Sequence, residues 1–275
     1  HMTGSAAELV LPASLPDLQP DVGALRAELE GRAANPDKGR QLKLVTLVNP
    51  GNPTGVMVPE DTLRVISKLC ARYGVWHLVD NTYEHFAYAD DEPHACVEGD
   101  HVINLFSFSK AYGMMGYRVG YVAHPPALGA ALLKVQDTIA ICPAMPSQAT
   151  ALGALQAGSE WVVRHVSSLD EQTALVLDAL APLGAGAVHG GSGAIYLFVR
   201  LPPSEDGAPM DDVALVRWMA ERHGVALIPG SACGMPGHVR VCYANLTREK
   251  TREAAARRKE GFRELVQDGL VGGAR

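Results

Sequence analysis

Lys43-Leu44-Val45-Thr46-Leu47-Val48, followed by Asn49-Pro50-Gly51-Asn52-Pro53-Thr54-Gly55, is the stretch that decides the fold. Its first part is a short apolar run with β-branched side chains, the pattern of a strand buried in a sheet. Its second part is dense turn chemistry, so the chain must leave the sheet in a loop. Beyond the turn, Leu63, Val65, Ile66, Leu69, Cys70 and Tyr73 recur at helical spacing, and Gly74 stands where a helix end favours a left-handed residue. Val75 to Val79 then reads as a second strand that ends at Asp80. Strand, helix and strand at this spacing form a βαβ unit, which implies a parallel sheet with functional loops at the carboxyl ends of its strands. The segments Asn49 to Gly55 and Asp80 to Glu84 both fall at such ends.

Working outward, His101 to Phe106 repeats the strand signal and delivers Ser107-Phe108-Ser109-Lys110 to the same rim, and Arg118 to Val122 reads as a further short strand. Upstream, Glu8 to Leu11 suggests a strand, and Pro20-Asp21 with Leu25 and Leu29 suggests a short helix. After Pro143 to Pro146 the composition shifts to amphipathic helices from Ser147 to about Leu183, and Gly184 to Gly193 reads as a hinge or loop. The remainder alternates: a strand at Ala194 to Leu201, a helix at Asp211 to His223, strands at Val225 to Ile228 and Val239 to Tyr243, and a closing helix capped by Thr247. The expected division is a vector-derived remnant or linker over 1–7, a large domain over 8–160 and a small α+β domain over 161–275.

Of the 275 residues, 47% are hydrophobic, enough to bury a sizeable core. Lys and Arg number 24 against 30 Asp and Glu, and neither sign gathers into a block that would suit nucleic acid or an anionic membrane. The five cysteines, Cys70, Cys96, Cys142, Cys233 and Cys242, are scattered without a Cys-x-x-Cys pair, which argues against a disulfide framework or a zinc knuckle. A reducing, cytoplasmic compartment is the expectation. No apolar run reaches membrane-span length, and the histidines form no recognisable metal-ligand set.

Taken singly, a lysine after a strand is a solvated charge and Asp80 caps a turn. In order, however, Asn49-Pro50-Gly51-Asn52-Pro53-Thr54-Gly55, Asp80-x-x-Tyr83, Ser107-x-Ser109-Lys110 with Arg118 eight residues on, and Arg240 in His238-Val239-Arg240-Val241 resemble the class I/II aminotransferases of fold type I. That resemblance implies pyridoxal 5'-phosphate as cofactor and an α/β fold with a mixed, mostly parallel sheet plus a small C-terminal α+β domain. It also implies an amino acid and a 2-oxo acid as small-molecule substrates, and a homodimer in the full-length form. The chemistry needs an amine that joins the cofactor aldehyde covalently and then moves a proton at the substrate's α-carbon, and Lys110 is the lysine placed for it. A carboxylate must keep the pyridine nitrogen protonated, which the resemblance assigns to Asp80. By the same resemblance Asn52 and Tyr83 donate to the ring oxyanion. Ser107, Ser109 and the planar fork of Arg118 hold the phosphate, and Arg240 clamps the substrate's α-carboxylate beside Asn52. Lys110, Asp80 and Tyr83 form the expected catalytic set.

Gly193 to Phe198 and Pro229 to Gly234 resemble small-domain signatures that shape the substrate mouth. Val97 to His101 and Ala111 to Tyr117 resemble plant and algal aromatic aminotransferases related to kynurenine-type enzymes, which implies an aromatic or large apolar amino acid on one side of the transfer. Family members normally begin well upstream, with a glycine-rich phosphate loop and an aromatic side chain stacked on the pyridine ring. The expectation is therefore an N-terminally truncated aminotransferase that keeps the Lys110 half of the site with impaired activity. Two other functions share these motifs: a C–S β-lyase on the same fold, and a noncatalytic cofactor-binding regulatory module.

Overall fold

The computed structural model describes residue 14 and residues 16–35, 41–88, 93–204 and 207–270. The strand expected at Glu8 to Leu11 and the 1–7 remnant lie outside the described residues. Helix α1 (Val22–Ala34) begins where Asp21 accepts the Ala24 N–H at 2.9 Å. It is followed by β1 (Leu44–Val48), α2 (Glu60–Arg72) and β2 (Trp76–Asp80), the expected βαβ unit. Leu25 and Leu29 of α1 pack on Ile66, Leu69 and Cys70 of α2, so the short first helix is anchored through the second. Next come β3 (Val102–Ser107) and β4 (Gly120–Ala123), which complete a sheet of order β1-β2-β3-β4. The first three strands run parallel and β4 antiparallel, giving a mixed, mostly parallel sheet.

In this register Asp80 stands between Val48 of β1 and Leu105 of β3, so the expected chemical segments leave neighbouring strands at one edge. Buried asparagines tie that edge together. Asn49 Oδ1 accepts the Val58 N–H at 2.9 Å, which folds the turn after β1 back on itself. Asn81 donates to Asn104 Oδ1 at 3.0 Å, Asn104 donates to the Val97 carbonyl at 3.0 Å, and His94 Nε2 lies 3.0 Å from Asn81 Oδ1. Each amide satisfies a partner that burial would otherwise leave unpaired, so the strand ends cannot splay without exposing several orphans at once.

Two helices then cross the surface, α3 (Pro126–Ile139) and α4 (Met145–Gln156). The sequence reading did not anticipate α3, which buries no residue although Leu128, Leu132, Val135 and Ile139 recur at helical spacing. Helices α5 (Ser159–Ser167) and α6 (Asp170–Leu180) lead into β5 (Val188–Gly190) and β6 (Tyr196–Arg200). The small unit closes with α7 (Asp212–His223), β7 (Ile228–Pro229), β8 (His238–Cys242) and α8 (Arg248–Asp268). Its antiparallel sheet has the order β5-β6-β8-β7, with Leu197, Phe198 and Val199 of β6 at 0% exposure. Val162, Val166, Val176, Leu180, Leu215, Trp218, Phe262 and Leu265 cover this sheet from the four helices α5 to α8.

The glycine-rich stretch expected to be a hinge or loop forms a seam. It contains β5, and its far end is fastened to the turn after β1: Gly193 N–H donates to the Gly55 carbonyl at 3.0 Å and Ser192 Oγ accepts the Met57 N–H at 2.9 Å. On the other side Ala194 N–H donates to the Phe86 carbonyl at 2.9 Å. A Cβ at Gly55 would fall 2.0 Å from the Tyr196 carbonyl oxygen, and one at Gly190 would fall 2.3 Å from the Thr54 oxygen. Only backbones without side chains approach this closely.

Candidate functional site

A chain of contacts crosses from one end of the sequence to the other. Asn52, in the turn after β1, accepts from Arg240 Nη1 at 2.7 Å, and the Arg240 guanidinium lies 4.3 Å from the centroid of the Tyr196 ring. The Tyr196 and Tyr83 hydroxyls are 2.8 Å apart, and Lys110 Nζ lies 5.8 Å from the Tyr83 ring centroid. Lys110, Tyr196, Arg240 and Cys242 line a cavity of about 440 Å³. Four of the residues singled out from sequence, Asn52, Tyr83, Lys110 and Arg240, are thus brought together, although they lie on four separate segments. Tyr196 was not anticipated as a site residue. It sits inside an apolar strand, and the only signal was the mouth-shaping resemblance of Gly193 to Phe198.

The remaining expected residues lie along the sheet edge. Asp80 ends β2, where Thr82 donates to its Oδ1 twice, from N–H at 3.0 Å and from its hydroxyl at 2.6 Å. Among the described residues nothing donates to Oδ2, so one carboxylate oxygen is fixed and the other is open. Ser107 ends β3, and its Oγ accepts the Ser109 N–H at 3.1 Å, which turns the chain toward Lys110. Arg118 precedes β4 and is exposed, with φ at 56° in the left-handed region and its Nη1 donating to the Met115 carbonyl at 2.8 Å. A non-glycine residue held there costs about 1 kcal/mol, a form of strain that concentrates at binding sites.

The electrostatics favour neutral donors and an unpaired amine. Burial first, and the hydrogen bond shared with Tyr196 second, push the Tyr83 phenol well above its ordinary range, so it stays protonated. Either hydroxyl of the Tyr83–Tyr196 pair can be the donor, so the Tyr83 proton becomes free for another acceptor only when Tyr196 turns to donate. Asn52 has its carbonyl engaged by Arg240, and its NH₂ has no partner among the described residues. Lys110 has no hydrogen-bond or ion-pair partner among the described residues. Burial raises the Cys242 thiol, which keeps it neutral beside these cations.

The donor set fits pyridoxal phosphate. A free amine, an open carboxylate oxygen, two neutral donors, hydroxyls at a strand end and an exposed guanidinium match its aldehyde, ring nitrogen, ring oxyanion and phosphate in turn. The sequence profile described as Aminotransferase class I and II matches residues 7–257. The chain belongs to this family. Its members use pyridoxal phosphate to move amino groups between amino and oxo acids. The aromatic aminotransferase ISS1 of Arabidopsis thaliana is 46% identical over 274 residues, which are 98% of this chain and 67% of that protein. A probable aspartate/prephenate aminotransferase of Aquifex aeolicus is 29% identical, over 81% of this chain and 58% of its own length. Among solved structures, a double mutant of Thermus thermophilus aspartate aminotransferase superposes with a TM-score of 0.78 at 28% identity, covering 92% of this chain and 64% of its own. The chain thus spans about three fifths to two thirds of the relatives it resembles. Among the described residues, no helix is long and apolar enough to cross a membrane, and no cluster of His, Cys, Asp and Glu is arranged to hold a metal.

Proposed function

We propose that this chain carries the lysine side of an aminotransferase site that moves an amino group between an aromatic or large apolar amino acid and a 2-oxo acid. The carrying observation is the convergence of Lys110 and Arg240 on one cavity, with Asn52 bonded to Arg240 and Lys110 without a hydrogen-bond or ion-pair partner among the described residues. When bound, pyridoxal phosphate supplies an aldehyde that accepts the amino group and a ring that takes up the electron pair released at the substrate's α-carbon. Lys110 Nζ would hold the cofactor and move the proton at that carbon. Asp80, steadied by Thr82, holds a proton on the ring nitrogen through its open oxygen. Asn52 and Tyr83 donate to the ring oxyanion, Ser107, Ser109 and Arg118 hold the phosphate, and Arg240 orients the substrate's α-carboxylate. The aromatic preference is supported by 46% identity to an aromatic aminotransferase.

The test is to incubate the chain with pyridoxal phosphate, reduce with borohydride and map the modified peptide. One label per chain at Lys110 is expected. Label spread over several lysines, or none at Lys110, removes the central assignment.

We further propose a homodimer in a reducing, cytoplasmic setting. Leu133, Ile139, Ile141 and Met145 on and around α3 and α4 are 68 to 78% exposed, an apolar surface that favours association. All five cysteines are unpaired. Sedimentation as a monomer at all concentrations would contradict the dimer, and an extracellular signal in fractionated cells would contradict the compartment.

A further inference from the structure

Tyr196 is 6% exposed on β6, yet its side chain touches both halves of the site. The Arg240 guanidinium lies over its ring, 4.3 Å from the centroid. Its hydroxyl is 2.8 Å from that of Tyr83, and the two rings meet edge to face, 5.6 Å apart at 74°. Arg240 has few other holds. Its Nη1 donates to Asn52 at 2.7 Å, its Nε is buried without a hydrogen-bond partner, and no carboxylate pairs with it among the described residues. A long side chain tied by one hydrogen bond samples several rotamers. A flat aromatic face removes much of that freedom and leaves the guanidinium N–H groups in their plane for a ligand.

The same cation favours one direction for the hydroxyl pair. A positive charge on the face of a phenol draws electron density from its oxygen and strengthens it as a donor. Arg240 is 4.3 Å from the Tyr196 ring, whereas Lys110 Nζ is 5.8 Å from that of Tyr83. Burial makes Tyr83 reluctant to give up its proton, which suits it to accept. We infer that Tyr196 is a positioning residue with two separable duties: its ring sets the Arg240 guanidinium to meet a carboxylate, and its hydroxyl donates to Tyr83, freeing the Tyr83 proton for the cofactor's ring oxygen. The second duty rests on the amino-transfer reading. The first needs only Arg240 and an anion.

Tyr196→Phe keeps the ring and removes the hydroxyl, while Tyr196→Leu removes both and stays apolar. Binding of pentanoate, a plain carboxylate, is measured by calorimetry on the chain without cofactor. The phenylalanine variant should bind it within about twofold of the unsubstituted protein, and the leucine variant at least about fivefold more weakly, the size of one cation–π contact. The hydroxyl is read separately, from the pH at which the absorbance of pyridoxal phosphate bound at Lys110 changes. A donor on the ring oxygen draws off negative charge that would otherwise favour a proton nearby, and a phenol that accepts a hydrogen bond donates more strongly. Tyr196→Phe should therefore raise that midpoint by about half a pH unit, in the same direction as Tyr83→Phe and adding nothing to it.

Equal pentanoate binding by all three proteins, equal weakening in both variants, or no binding at all overturns the first duty. An unmoved midpoint in Tyr196→Phe overturns the second, and a lowered one shows Tyr83 donating to Tyr196 instead. Absence of borohydride label at Lys110 removes the amino-transfer reading and the second duty with it, while the pentanoate series still decides the first. Label at Lys110 with an unmoved midpoint keeps that reading and removes only the hydroxyl's part.

Discussion

Replacing His77 by leucine should change how the stability of this protein responds to pH. His77 lies in the middle of β2 at 0% exposure, and neither ring nitrogen has a hydrogen-bond partner. Burial, and secondarily the charge of neighbouring His101, lower its pKa from 6.5 to about 4. The unfolded chain therefore takes up a proton at this position, as pH falls from 6.5 towards 4, that the folded chain refuses. Stability is fully present above the unfolded value and is lost through that window. Linkage between these two values makes the single histidine responsible for a loss of about 2 kcal/mol between pH 7 and pH 5. Urea unfolding of the natural and His77→Leu proteins at both pH values measures it. His85, His94 and His189 are also lowered by burial, so the quantity that isolates His77 is the difference between the two proteins. Leucine fills a similar volume without orphan nitrogens, so the variant should equal or exceed the natural protein at pH 7. Matching losses in the two proteins between pH 7 and pH 5 would refute the reasoning.

The seam and the tyrosine pair give two further tests. Gly55→Ala combines a left-handed backbone, φ 68°, with a collision against the Tyr196 carbonyl, whereas Gly74→Ala has φ 64° and open space around the new methyl group. The first should cost about 2–4 kcal/mol and the second about 1 kcal/mol in urea unfolding; equal losses would show that the close approach contributes nothing. Tyr196→Phe should cost about 1 kcal/mol by stranding the buried Tyr83 hydroxyl, and should cost almost nothing when Tyr83 is already phenylalanine. Additive losses in that double-mutant cycle would mean the two hydroxyls do not interact.

What the sequence revealed and concealed follows from how local each signal is. β1, α2 and β2 were readable because both strands are short apolar runs with β-branched residues and Gly74 marks the helix end, although β1 is only partly covered rather than buried as its run suggested. Asp211 and Thr247 announced α7 and α8 in the same local way, through side chains that cap the next turn. Helix α3 was missed although Leu128, Leu132, Val135 and Ile139 recur at helical spacing, a period diluted by the neighbouring alanines and Leu133. Asn52, Asp80, Lys110 and Arg240 acquired meaning only as an ordered set, since each alone is ordinary loop or strand-end chemistry. Asn81 read as a loop residue and Asn104 as an ordinary strand position, yet burial makes them the bolts of the sheet edge.

The fastening of Gly193 to Gly55, and of Ala194 to Phe86, also constrains motion. A rotation of the small sheet that keeps those backbone bonds must run its axis through the seam, as a page turns about its spine. Sliding is excluded, because any lateral shift would drive carbonyl oxygens into the glycine backbones. Points near that spine travel least, which preserves the Asn52–Arg240 bond at the turn. In such a rotation the largest displacement falls on the far end of α8 and on the outer strand β7.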